Sequence, residues 1–149
     1  MSDDWLQLVP NDPQFQPDRE RAESARQLLA SLVPEADEVT AEDKDGIEFI
    51  HPGSNWSGVQ CSACGADAES WWEEALDSAE AGEFRNLQCV ASCCGADVSL
   101  NDLRYIWPAA FGRFVLSAMN PNIEDFPADQ KHELEQRLGC TLRVVWTHL

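Results

Sequence analysis

Two short segments thirty residues apart hold most of the chemistry in this chain. Cys61-Ser62-Ala63-Cys64-Gly65-Ala66-Asp67 and Ala91-Ser92-Cys93-Cys94-Gly95-Ala96-Asp97 agree at Ser, Cys, Gly, Ala and Asp when laid over each other. The first is a C-x-x-C-G knuckle, in which two thiolates reach one tetrahedral Zn²⁺ at about 2.3 Å and the glycine permits the tight turn that aims amides at the sulfurs. The second copy has Ala91 where the first has Cys61, with Cys89 before it and Cys93 after it. Cys61, Cys64 and Cys94 are thus expected ligands, and the fourth is Cys93 or Cys89, with His51 a weaker substitute. Cys93 is favoured because it is already held within the same turn. A closed four-sulfur site of this kind contributes folding free energy and leaves no position for water or substrate, so the expected Zn²⁺ is structural. The competing reading is buried or free thiols without metal. Cys140 has no partner in sequence and reads as a small buried apolar residue.

Charge is the second signal. The 149 residues carry 10 Lys and Arg against 27 Asp and Glu, a formal charge of −17. Fourteen of those acids and only one base, Lys44, fall between Glu35 and Glu83. Such a field repels phosphate backbones, so a nucleic-acid partner is not expected. It suits either a solvated face that keeps the protein dispersed or a docking surface for a basic protein. Within it, Trp72, Ala75, Leu76 and Ala79 share one helical face, while Trp71 points about 100° away. Packing of both indoles in the core is the commoner outcome for such a pair, but Trp71 with Glu73, Glu74, Asp77 and Glu80, an indole beside carboxylates, is the candidate partner-binding group. Trp56 precedes the first knuckle, either covering the metal or rimming a cleft.

Other catalytic signatures are missing. The sequence contains no H-E-x-x-H, no G-x-S-x-G and no Gly-rich phosphate loop. An enzyme would have to place His51, Asp102, Arg104 or Cys140 in a cleft between scaffold and insertion, and a thiol redox switch would use Cys93-Cys94 or Cys61 and Cys64. His132 reads as a solvated helix residue, and His51 and His148 as strand-end residues. Ser99 caps a turn with Asp102 three residues on, and Asp102 is expected to pair with Arg104, fixing the second knuckle to the scaffold.

The elements that must hold these groups follow from periodicity. Asp4–Val9 reads as a strand ending at Pro10, and residues 18–33 as an amphipathic helix with Ala22, Ala25, Leu28, Leu29 and Leu32 on one side. Residues 36–42 and 47–51 read as a hairpin about Asp43-Lys44-Asp45-Gly46. Residues 127–138 form a helix closed by Gly139, and 141–149 a last strand with Leu142, Val144 and Trp146 on one face. Within the middle, 68–81 is helical, 84–90 a strand, and 108–119 a helix opened by Pro108. The expected fold is α+β, a ferredoxin-like split βαβ scaffold in one domain, 1–149, with a zinc-ribbon-like insertion at 53–107. Hydrophobic residues at 44% and charged residues at 25% are those of an ordinary globular protein. No basic leader and no apolar run of membrane-spanning length occurs, so no membrane association is expected and the expected compartment is the cytoplasm, where thiols stay reduced.

CSACGAD, SCCGADVSLNDLRYIWPAAFGRFVLSAMNP and LGCTLRVVWTHL together resemble a group of small uncharacterised bacterial proteins, and the likeness runs over most of the chain. The shared motifs are a C-x-x-C-G, a later C-C-G followed by SLNDLRY and WP, and a short basic-aromatic final strand. The resemblance implies the fold unit and the paired metal knuckles, and favours Cys93 over Cys89; it transfers no catalytic residue. Size and charge alone suggest an immunity-type protein that blocks a toxic enzyme by covering its basic channel. The leading expectation is a non-enzymatic acidic binding module; oligomeric state is not legible.

Overall fold

The computed structural model describes residues 3–149. The chain runs β1 (Asp4–Pro10), α1 (Arg19–Leu32), β2 (Glu38–Ile50), β3 (Val59–Gln60), α2 (Glu69–Ala81), β4 (Gln88–Val90), β5 (Asp97–Ser99), a 3-10 turn (Leu100–Asp102), β6 (Arg104–Tyr105), β7 (Ala110–Met119), α3 (Ala128–Leu138) and β8 (Leu142–His148). Four strands form an antiparallel sheet in the order β2-β7-β1-β8. The architecture is mixed α and β, and among the described residues no helix is long and apolar enough to cross a membrane.

Local chemistry sets the helix ends. Asp18 Oδ1 accepts the Arg21 N–H at 2.8 Å, satisfying one of the free donors of the first turn of α1. Pro34 follows the Val33 cap, and Gly139 closes α3 at φ +80°. Both helices lie on one face of the sheet, where Ala25, Leu29, Leu134 and Leu138 pack on Leu6, Leu8, Phe114 and Leu116. Burying each large apolar side chain there stabilises the fold by roughly 1.5–3 kcal/mol.

Three expected elements take another form. Residues 108–119 were expected as a helix and instead enter the sheet as β7. Nearly every residue of β7 is buried, because helices cover one face while Phe111 and Val115 pack on the other. A strand covered on both sides lacks the period-2 alternation that would separate it from a buried helix. The expected hairpin at 43–46 is one bent strand. Asp43 pairs with Phe114 and Glu48 with Gly112, so the intervening residues bulge from a single ladder. Lys44 Nζ braces the bulge, 3.2 Å from Glu42 and 3.7 Å from Glu48, and Gly46 does not take the positive φ of a hairpin turn. The strand expected over 84–90 is confined to Gln88–Val90. Ahead of it Glu83 and Phe84 both adopt positive φ, and the Phe84 N–H donates to the Ala79 carbonyl at 2.9 Å as the chain reverses off α2.

Residues 51–109 lie between β2 and β7 and fold around a core of their own. Val59, Ala68, Trp71, Trp72, Leu100 and Tyr105 pack there on Ile47 and Phe111 of the sheet strands. The end of β2 curls across the second sheet face: Ile50 packs with Val9, Val115 and Val145, and the Thr147 hydroxyl donates to the His51 carbonyl at 2.8 Å. Gly53 then bridges to His148 on the outer edge of β8.

Candidate metal centre

The two cysteine segments fold as the same turn. In the first, the Cys61 N–H donates to the Ala66 carbonyl at 2.8 Å and the Gly65 N–H to the Cys61 carbonyl at 2.9 Å; in the second, Ala91, Ala96 and Gly95 repeat those bonds at 2.9 and 2.7 Å. Gly65 and Gly95 have φ of +77° and +76°, a conformation that costs a residue with a Cβ about 1–2 kcal/mol. The matched glycines are thus what each turn requires. The turns belong to separate two-stranded ladders, β3 with β6 and β4 with β5, and no backbone ladder joins the two.

Side chains bring them together. The sulfurs of Cys61, Cys64, Cys93 and Cys94 all lie within 4.8 Å of one another. Sγ of Cys61 is 3.9 Å from that of Cys94, and Sγ of Cys64 is 3.4 Å from that of Cys93. Sulfurs bound at about 2.3 Å to a tetrahedral ion stand about 3.8 Å apart, so these separations are compatible with a metal site. They are far longer than a disulfide bond, and all six cysteines are free. Cys61 is buried, whereas the other three sulfur residues are exposed. Cys89 is not part of the group; it packs on the core beneath α2.

Four thiols this close cannot all ionise without a cation. The Cys64 backbone N–H, aided by that of Ala63, bonds the Cys61 sulfur and brings its thiol down to about 7. Loss of solvent, then hydrogen bonding to Cys64 and Cys61 and their charge, pushes Cys93 up to about 12, and Cys94 is also raised. One turn therefore favours a thiolate that its neighbours oppose, a conflict that a divalent ion removes. Soft sulfur donors in this geometry suit zinc or iron.

Of the remaining sequence candidates, Asp102 and Arg104 line one pocket with Arg143, and His51 and Cys140 are not among its walls. Among the described residues no hydrogen bond or ion pair joins any two of His51, Asp102, Arg104 and Cys140. His51 Nδ1 accepts the Gly53 N–H at 2.8 Å and its ring stacks on Trp56, with centroids 5.3 Å apart; desolvation lowers its pKa. Trp56 packs on Trp72, with ring centroids 4.8 Å apart. Trp71 is buried, 8% exposed, beside Trp72 at 7%. The partner-binding group therefore loses its indole, while Glu73, Glu74, Asp77 and Glu80 are exposed. Both rings belong to one core, with Val59, Leu100 and Tyr105.

Asp102 does not pair with Arg104. Its carboxylate meets Arg143 of β8 at 2.6 Å, and the Arg143 guanidinium also donates to the Asn101 carbonyl and, at 2.8 Å, to Asn11 Oδ1. Asn101 is buried. Its Oδ1 accepts the Phe111 N–H at 3.0 Å and its Nδ2 donates to the Asn11 carbonyl at 3.1 Å. This clasp fixes the second knuckle to the sheet: Arg143 lies 41 and 42 residues from Asp102 and Asn101, and Asn11 lies 90 from Asn101, separations that no local sequence signal marks.

No known protein family, no curated protein and no solved structure matches this chain.

Proposed function

We propose that the chain is a non-enzymatic binding module that docks on a basic protein in the manner of an immunity or inhibitor protein, with Zn²⁺ as an architectural ion held by Cys61, Cys64, Cys93 and Cys94. The observation that carries this reading is on α2. Glu69, Glu73, Glu74, Asp77 and Glu80 are exposed, and among the described residues none has a Lys, Arg or His within ion-pair distance. Their charge is left for an outside partner. The order β1-α1-β2, then β7-α3-β8, with sheet order β2-β7-β1-β8, supports the ferredoxin-like scaffold; the paired turns support the zinc-ribbon-like insertion. Zinc here supplies a crosslink between the turns, and this chain's residues supply the recognition surface. Kinship with the small bacterial group belongs to the same proposal and rests on the spacing of its motifs.

The test is to recover the partner at low salt, purify it and titrate it. A basic protein is expected, with affinity falling at least tenfold between about 50 and 300 mM salt as exposed charge is screened over about 8–10 Å, and falling again for the Glu73→Gln, Glu74→Gln, Asp77→Asn, Glu80→Gln variant. Recovery of nothing basic, or affinity indifferent to salt, overturns the reading.

A further inference from the structure

A groove away from the sulfur site lies along β8. It encloses about 770 Å³ between the start of β1, the loop following β7 and the segment ahead of that strand, and its walls include Trp107, Trp146, Asp4, Glu124, Asn55 and Asn120. Trp107 is 41% exposed and its neighbour Ile106 is 49% exposed, two of the few large apolar side chains left in water. An exposed indole on a groove is a feature of binding surfaces rather than of solvated ones.

Electrostatics decide what suits it. The groove has no Lys or Arg in its walls. The carboxylates around it are held by amides instead: Asn120 Nδ2 donates to Asp3 at 3.0 Å and to Asp37 at 2.9 Å, and Asn122 Nδ2 donates to Glu35 at 3.0 Å. An amide donor fixes a carboxylate without cancelling its charge. Asp4 meets only His148, with Nδ1 at 2.5 Å, and Glu124 has no ion-pair partner among the described residues. Indole faces and the unpaired Glu124 carboxylate attract the same thing, a weakly hydrated organic cation, and Asp4, shared with His148, adds a second acceptor. Of the two basic side chains, arginine fits better, because its planar guanidinium stacks on an indole while its edge donates to carboxylate and amide oxygens.

We propose that this groove is the anchor site for an arginine side chain of the basic protein partner, received against Trp107 with Asp4 and Glu124 alongside. It rests on the docking reading above but uses a different surface from α2. Here α2 supplies long-range attraction and the groove supplies the contact that slows release.

The metal-loaded protein is titrated with the blocked peptide Ac-Gly-Arg-Gly-NH₂ and with its citrulline twin, which keeps the shape and loses the charge, while the indole N–H resonances are followed by ¹⁵N NMR after assignment with Trp107→Phe and Trp146→Phe. The arginine peptide is expected to shift the Trp107 and Trp146 resonances, the citrulline twin to bind at least tenfold more weakly, and Glu124→Gln to weaken the arginine peptide alone. Trp107→Ala is expected to remove the shift of Trp146 while the remaining spectrum shows the fold intact. Unmoved indoles at millimolar peptide, or equal binding of the neutral twin, which marks the groove as a site for neutral polar ligands, overturn the proposal. If the purified partner binds Trp107→Ala as tightly as wild type, the anchor is refuted while the acidic docking reading stands; if the α2 variant alone loses nothing, the docking reading fails while the peptide result stands.

Discussion

Ala91 occupies in the second turn the place that Cys61 occupies in the first: both are fully buried, and both donate their backbone N–H to the carbonyl of the alanine five residues on. Only one of the two carries sulfur. The fourth corner of the cluster is therefore supplied from a different position of the turn, by Cys93, whose counterpart in the first copy is Ala63.

Metal content tests this asymmetry directly. One zinc per chain is expected in the purified protein, lost in Cys64→Ser and Cys93→Ser and retained in Cys89→Ser. Elemental analysis beside a thiol count separates these outcomes; a metal-free, stable wild type refutes the centre.

A repaired repeat gives a sharper version. In Ala91→Cys, Cys93→Ala the second turn acquires the C-x-x-C-G spacing of the first, and its new sulfur starts from a backbone position equivalent to that of Cys61. Zinc stoichiometry is expected to return to one from the deficit of Cys93→Ala. No recovery would mean that the two turns face the centre differently despite their matched backbones.

The Arg143 clasp predicts a stability difference between two arginines of similar local sequence. Arg143→Ala removes the donor to the Asn101 carbonyl and Asn11 Oδ1 and costs about 1–3 kcal/mol, chiefly through polar groups left unsatisfied. The Asp102 pair itself adds little because that carboxylate is 62% exposed. Exposed Arg104→Ala stays within about 0.5 kcal/mol of wild type. Urea unfolding of both variants checks the order.

Gly112 leaves room for the Val9 side chain. A Cβ there would meet Val9 Cγ1 at 2.6 Å, so Gly112→Ala is expected to destabilise by about 1–3 kcal/mol through overpacking, read by the same unfolding experiment. A neutral result would show that Val9 can move aside.

Alkaline unfolding should report Cys140. Burial, with Glu135 adding repulsion, raises its thiol from 9.0 to about 11, so the folded state holds a proton that the unfolded chain releases first. The stability tied to this neutral thiol is fully present below about pH 9 and is lost as pH rises toward about 11. Cys140→Ala is expected to flatten that limb of the unfolding free energy between pH 9 and 11. Identical slopes for the variant and wild type remove Cys140 as the cause.

Sequence alone determined whatever is written in short-range spacing. The two knuckles, the apolar stripe of α1, the glycine closing α3 and the alternation of β8 each depend on residues within a few positions of one another, and local geometry needs no more. Tertiary structure decided the rest, because burial is a property of what packs on a segment rather than of the segment. Ala110–Met119 became a strand once both of its faces were covered, and Asp43–Gly46 became a bulge because both flanking runs found the same partner in β7. Trp71 is buried in the core that it shares with Trp72, Leu100 and Tyr105. Asp102 chose Arg143 over Arg104 because the clasp offered the guanidinium several acceptors at once, and the convergence of Cys64 and Cys93, 29 residues apart, follows from a shared core that only the folded insertion has.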